Sequence, residues 1–228
     1  MCNLYSQTKA QDAMRQLFAG PLFSGPLFSN LTDDSGNLAP QPGIYPDYMA
    51  PVIRHGTNGL HLTRARWGMP TPPTFLAGKR TDPGVTNIRN TASPHWRRWL
   101  GVEHRCLVPF TSFSEIDSRP GAPRNHPVWF AQGTTRPLAF FAGIRTTWTS
   151  VRKLRDGETT DDLFAFLTCP PNAEVGAVHP KAMPVILTEP RDWHRWLNAP
   201  TPEALALQRP LPDGSLHIVA EGGREDAA

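Results

Sequence analysis

Residues 106–117 read CLVPFTSFSEID. The first five are an apolar run too short for a helix of ordinary length, and they lead into Thr, Ser and a carboxylate, the pattern of a buried β-strand ending at a turn. Runs of the same kind recur on both sides: LHLTRARWG (60–68), LAFFAG (138–143), LFAFLT (163–168), MPVILT (183–188) and LHIVA (216–220), bounded by Pro or Gly. With 25 Pro and 18 Gly among 228 residues, the backbone is interrupted too often for a helical bundle or coiled coil. The expected fold class is α+β: a single compact domain over residues 1–228, a mostly β, barrel-like mixed sheet with peripheral helices.

Three helices are expected around that sheet. Residues 8–20 place Ala10, Ala13, Met14, Leu17 and Phe18 at helical spacing, with Thr8 and Gln11 as a capping box and Gly20 as the stop. A second runs through RDWHRWL after Pro190, and a third has Thr201 as its cap and Pro202 as its first residue. Residues 20–46, which contain GPLFS twice in tandem (20–24 and 25–29), read as a loop-rich insertion, and residues 222–228 as a frayed polar tail.

Composition narrows the function classes. The chain is 39% hydrophobic and 19% charged, with a net charge of +3, which fits a globular protein and does not by itself choose a partner. Cys2, Cys106 and Cys169 are too few and too scattered for a disulfide framework or a zinc ribbon, which points to a reducing compartment. The opening MCNLYSQTKAQDAM lacks the apolar core of a signal peptide, and no apolar run reaches the roughly 18 residues of a membrane span. A soluble, cytoplasmic, monomeric protein without membrane contact is expected.

Three residues are candidates for chemistry. Removal of Met1 would put a thiol and a free α-amine on one carbon of Cys2, a pair that converts an aldehyde to an imine and then closes a thiazolidine; the plainer reading is a small buried hydrophobe. Glu115 follows a strand among Phe110, Phe113 and Ile116, surroundings that raise a carboxyl pKa and suit proton transfer, unless it is an ordinary solvated glutamate. His179 precedes Pro180 at the start of a strand, where a histidine serves as acid, base or donor, or is merely structural. Asn87 and Arg89 alternate as on one strand face.

Two clusters mix arginine with tryptophan: Arg64, Arg66 and Trp67, and Trp96, Arg97, Arg98 and Trp99. Arginine pairs with phosphate and tryptophan stacks on a base, so the mixture favours single-stranded nucleic acid over a small metabolite. The competing reading places the tryptophans in the core with arginine stems covering them.

Taken together and in order, MCNLYS, TNIRNT, CLVPFTSFSE and HPKAMPVIL, with RWG at 66–68, resemble the SRAP family of SOS response-associated peptidases, the abasic-site processing proteins. The resemblance implies a mostly β domain with a basic cleft for single-stranded DNA containing abasic sites. It also implies a mature N-terminal cysteine that forms a thiazolidine crosslink with the ring-opened sugar. Carried onto this chain, Cys2 would be the nucleophile, Asn87 would hold it and the sugar in register, Glu115 would shuttle protons and His179 would assist ring opening. Arg89 would contact phosphate and Trp67 would stack on a neighbouring base, with Arg66, Trp96, Arg97, Arg98 and Lys181 completing the DNA-binding set. No metal or organic cofactor is implied, and the peptidase activity is self-removal of what precedes the cysteine.

The chain departs from the family pattern where Asn3 and Leu4 replace Gly and Arg, where Ser114 and Ile116 flank the glutamate, where Thr91 replaces an acid, and where Pro180, Lys181 and Ala182 precede Met183. Two other readings use the same residues. In one, Cys2 with His179 or Glu115 as base is an N-terminal-nucleophile hydrolase acting on peptides or amides in trans. In the other, the chain binds single strands without catalysis.

Overall fold

The computed structural model describes residues 2–19, 31–57 and 59–226. In chain order it begins with β1 (Leu4–Gln7), α1 (Gln11–Leu17), β2 (Leu31–Asp33), β3 (Gln41–Ile44), β4 (Met49–Gly56), β5 (Gly59–Trp67) and α2 (Pro73–Leu76). Then come β6 (Asn87–Ile88), α3 (Pro94–Arg97), β7 (Arg105–Phe110), β8 (Ser112–Ile116), β9 (Pro127–Ala131), β10 (Ala139–Val151) and β11 (Glu158–Cys169). The chain ends with α4 (Ala173–Val178), β12 (Met183–Pro184), β13 (Ile186–Leu187), α5 (Pro190–Asn198), α6 (Thr201–Leu205) and β14 (His217–Glu221).

Five strands close a mixed barrel in the order β4, β5, β11, β10, β7 and back to β4. Four of its seams are antiparallel, and the fifth is a short parallel pairing that sets Arg66 and Trp67 of β5 opposite Leu163 and Phe164 of β11. The long β10–β11 hairpin turns at Gly157, whose φ of +69° is left-handed and suits glycine. A second sheet, ordered β14, β9, β8, β1, β3, packs on the barrel. Tyr5 makes the join: its ring meets Trp67, Phe141 and Phe166 edge-on at centroid distances of 5.1, 5.6 and 6.1 Å. This is a single domain, mostly strands, with short helices at its edge, as its apolar runs lead one to expect.

The strand expectations match closely, and MPVILT splits into β12 and β13 because Val185 between them donates to the Leu167 carbonyl while accepting from the Ala142 amide. Helix boundaries differ more. Helix α1 starts at Gln11 after Ala10 with no side-chain cap. The expected capping box is absent because Thr8 turns to Thr111, 3.4 Å away, and the Gln11 amide donates to Asp33, Ser35 and the Gly36 carbonyl. Thr201 is likewise no cap. It lies inside α6, where its hydroxyl accepts from Arg105 at 3.0 Å. Arg105, buried, also donates to the carbonyls of Leu100, Trp196 and Ala199, which satisfies the carbonyl end of α5.

The tail is not frayed within the described residues. Asp226 is buried, accepts from Ser112 at 2.5 Å and from Arg136 at 2.7 Å, and its carbonyl accepts from the Ser6 hydroxyl at 2.8 Å. A polar chain end is thereby fastened to β1 and β8. The expected loop at 20–46 contributes β2 and β3, whereas both GPLFS copies and the Gly20 stop lie outside the described residues. Among the described residues, no helix is long and apolar enough to cross a membrane.

Candidate active site at the N-terminal strand

The strand that carries the N-terminus is held by the strand that carries the carboxylate. Antiparallel pairing sets Leu4 opposite Ser114 and Tyr5 opposite Phe113, so Cys2 and Asn3 leave β1 beside the end of β8, where Glu115 lies. Asn87 arrives from the other side on β6, pinned by its parallel pairing with Phe166 of β11. Its Nδ2 donates to the Cys2 carbonyl at 2.7 Å and to Thr86 Oγ1 at 2.9 Å, and the Thr86 hydroxyl donates to Asn3 Oδ1 at 3.0 Å. Asn87 Oδ1 is buried and has no hydrogen-bond partner among the described residues. A buried acceptor left open in this way is costly unless a ligand donor completes it.

His179 comes last. It follows α4, whose N-cap Asn172 accepts from the Val175 amide at 3.2 Å, and the amide and hydroxyl of Ser118 both bind the Val178 carbonyl at the other end. Because Ser118 lies just beyond β8, this clasp brings His179 Nε2 to 3.7 Å from Glu115 Oε2. The four residues proposed for chemistry thus converge from β1, β6, β8 and the end of α4.

Burial sets their protonation. Glu115 is almost fully buried, and loss of hydration pushes its carboxyl up from 4.5 to about 7. The Cys2 thiol, fully buried, is raised well above the usual thiol range, by burial first and then by the neighbouring Glu115 charge; its S–H donates to the Leu4 carbonyl at 3.4 Å. His179 is lowered, mainly by burial, then by the positive amino terminus and less by Lys181, which favours its neutral imidazole. The site therefore offers a neutral thiol, a neutral imidazole and a carboxyl that exchanges its proton at physiological pH. That set suits a condensation with proton transfers better than a standing thiolate nucleophile.

The remaining expected contacts divide. Arg89 and Lys181 are exposed at the site, and Arg89 Nη1 donates to the carbonyls of Cys169 and Lys181 at 3.2 Å each, bracing the segment that carries His179. Trp67 does not offer a face to a base: it is fully buried, stacks on Phe166 at 5.2 Å, and its Nε1 donates to the Thr86 carbonyl at 3.1 Å. Arg66 is turned to Asp47 and Asp161, at 3.5 and 3.2 Å. Trp96 is buried too, with Arg97 and Arg98 exposed beside it. Sequence reasoning missed Asn3 and Thr86, which complete the network around Asn87. It also missed a pocket of about 330 Å³ next to the site, lined by Asn3, Tyr45, Ser114, Ile116, Asn125 and Arg224. The one signal in the sequence was adjacency, since Asn3, Ser114 and Ile116 are neighbours of Cys2 and Glu115.

A model of the SRAP family, "SOS response associated peptidase", matches residues 1–220. Among solved structures, a protein from Bordetella bronchiseptica is similar with a TM-score of 0.66 and 24% identity, over 97% of this chain and 98% of that one. A protein from Bacteroides thetaiotaomicron is similar with a TM-score of 0.67 and 19% identity, over 95% and 90%. A phage-related protein from Bordetella bronchiseptica follows with 0.61 and 21%, over 95% and 92%. These likenesses bear on the fold alone. No curated protein matches the chain at a significant level.

Proposed function

The chain belongs to the SOS response associated peptidase family, and on that premise we propose that its processed form captures abasic sites in single-stranded DNA through Cys2. The observation that carries the reading is the convergence of Cys2, Asn87, Glu115 and His179, with Asn87 bonded to the Cys2 backbone and His179 beside Glu115. Hydrolysis of the Met1–Cys2 peptide bond, the self-processing step, frees the α-amine.

Each step then has a group to serve it. His179 assists opening of the sugar hemiacetal to the aldehyde. The α-amine adds to the carbonyl carbon to give a carbinolamine, and the protonated Glu115 carboxyl gives its proton to the departing hydroxyl, releasing one water and leaving a protonated imine. The Glu115 carboxylate then accepts the thiol proton as the sulfur bonds to the same carbon, the C=N electron pair passes to nitrogen, and a neutral thiazolidine closes with Glu115 protonated again. A carboxyl titrating at about 7 performs both directions of that transfer near neutral pH. Acid–base help of this kind is worth about a hundred- to ten-thousandfold, and fixing the amine beside the aldehyde lowers the barrier further. Asn87 Oδ1, without a partner among the described residues, would accept from a sugar hydroxyl. Arg89 and Lys181 would grip flanking phosphates, and the pocket lined by Tyr45 and Arg224 would receive the neighbouring nucleotide.

The test is to incubate the processed protein with a single strand bearing one abasic site. A heat-stable adduct is expected, and none when the same strand has had its aldehyde reduced to the alcohol. Equal adduct on the reduced strand would overturn the reading.

A further inference from the structure

Away from the catalytic cleft, a second aromatic and basic surface lies where β10 ends. Trp148 projects from that strand with 39% of its surface exposed, and α2 beside it carries Phe75 at 66%. After α2 the chain runs through Lys79 and Arg80 and is pinned to β10 by the Asp82 amide, which donates to the Val151 carbonyl at 2.8 Å. Between them opens a pocket of about 240 Å³ whose lining includes Leu76, Lys79, Arg80, Asp82, Trp148 and Thr149. On its other side Trp148 meets Trp99 edge-on at 6.1 Å, and the Arg98 guanidinium lies over the Trp99 ring at 4.4 Å.

Among the described residues, no carboxylate forms an ion pair with Lys79, Arg80, Arg97 or Arg98, all of which are exposed. The acids nearby are engaged elsewhere. Asp82 is buried and accepts from Thr71 and the Gly84 amide, Asp161 pairs with Arg66, and Asp162 pairs with Arg145. Lys79 and Arg80 line the pocket with the indole, and Arg98, which bonds His95, is held over the neighbouring Trp99 ring; that set suits a polyanion that also presents flat rings.

We infer that Trp148, Lys79 and Arg80, with Arg98, form a second binding site for single-stranded DNA, in which Trp148 stacks on an unpaired base and the cations hold the phosphates. No hydrogen bond, ion pair or ring contact among the described residues joins this set to Cys2, Asn87, Glu115 or His179, and the inference stands without the abasic-site reading. Its consequence is that a long strand is held at two places, only one of which does chemistry.

Binding of undamaged (dT)30, followed by fluorescence anisotropy across a salt series, tests it. Stacking is worth about 1–3 kcal/mol per base, so Trp148→Ala should weaken binding by about five- to a hundredfold, and Trp148→Phe should recover most of the loss. Lys79→Gln with Arg80→Gln should lower the slope of log affinity against log salt by about 1.4, two phosphates at about 0.7 each. The rate of adduct formation on a five-nucleotide abasic strand should be the same in all these variants. Unchanged (dT)30 affinity and salt slope would overturn the inference, as would equal or tighter binding of (rU)30 through the same residues. Absence of any adduct with the native protein would sink the abasic-site reading and leave this result untouched.

Discussion

Arg66–Trp67 and the Trp148–Lys79–Arg80 face pair the same side-chain chemistry and lie in opposite environments. Trp67 is sealed against Tyr5 and Phe166, and Arg66 is neutralised by two aspartates. Trp148 is open to solvent, and its neighbouring cations have no acidic partners among the described residues. Burial, more than residue type, decides which arginine–tryptophan pair builds the core and which is available to a ligand. The same contrast separates the two proposed contacts with DNA. In the cleft, burial tunes protonation for chemistry; on the outer face, exposure serves affinity.

The interior should answer to substitution by losing chemistry or stability. The largest effect expected is Cys2→Ser, which should abolish heat-stable adduct on abasic DNA while leaving (dT)30 affinity unchanged, as read by gel and anisotropy together. Trp67→Ala should cost about 3–5 kcal/mol of stability through the cavity it leaves, measured by denaturant unfolding; a protein of native stability with weakened DNA binding would return Trp67 to the ligand-contact class. Glu115→Gln should slow both formation and reversal of the adduct by about a hundred- to ten-thousandfold, and unchanged rates would remove Glu115 from the mechanism.

The same carboxyl makes a stability prediction with a definite sign. Its folded-state pKa of about 7 lies above the ordinary 4.5, so the folded protein holds the proton more tightly. The stabilisation is complete below about pH 4.5, falls as pH rises and is lost above about 7, by about 3 kcal/mol in all. Unfolding at pH 4 and pH 8 should therefore show Glu115→Gln gaining on the native protein as pH rises, and a gain at the acidic end would contradict the assignment. Smallest of all, Trp148→Ala should cost about 0.5–1.5 kcal/mol of stability, the worth of its edge-on contact with Trp99.

Much of this was legible in the sequence for a physical reason. A buried strand must carry consecutive apolar side chains, so CLVPF, LAFFAG and LFAFLT announce β7, β10 and β11. Glu115 was legible as a carboxyl of raised pKa because Phe113 and Ile116 are its chain neighbours. What depends on long-range contact was not. The parallel seam between β5 and β11 joins residues about a hundred positions apart, and β6 is two residues whose pairing no local pattern signals. Thr8 and Gln11 have the spacing of a capping box, yet Thr111 and Asp33 compete for their side chains and win. The polar end GGRED reads as loose until Ser112 and Arg136 are seen to receive Asp226.

The central claim is most directly tested by the intact mass of the adduct formed with a single strand carrying one abasic site. The account predicts a species equal to the chain without Met1 plus the strand, less one water, with the added mass on Cys2. An adduct on protein that retains Met1, or one mapped to another residue, would contradict it.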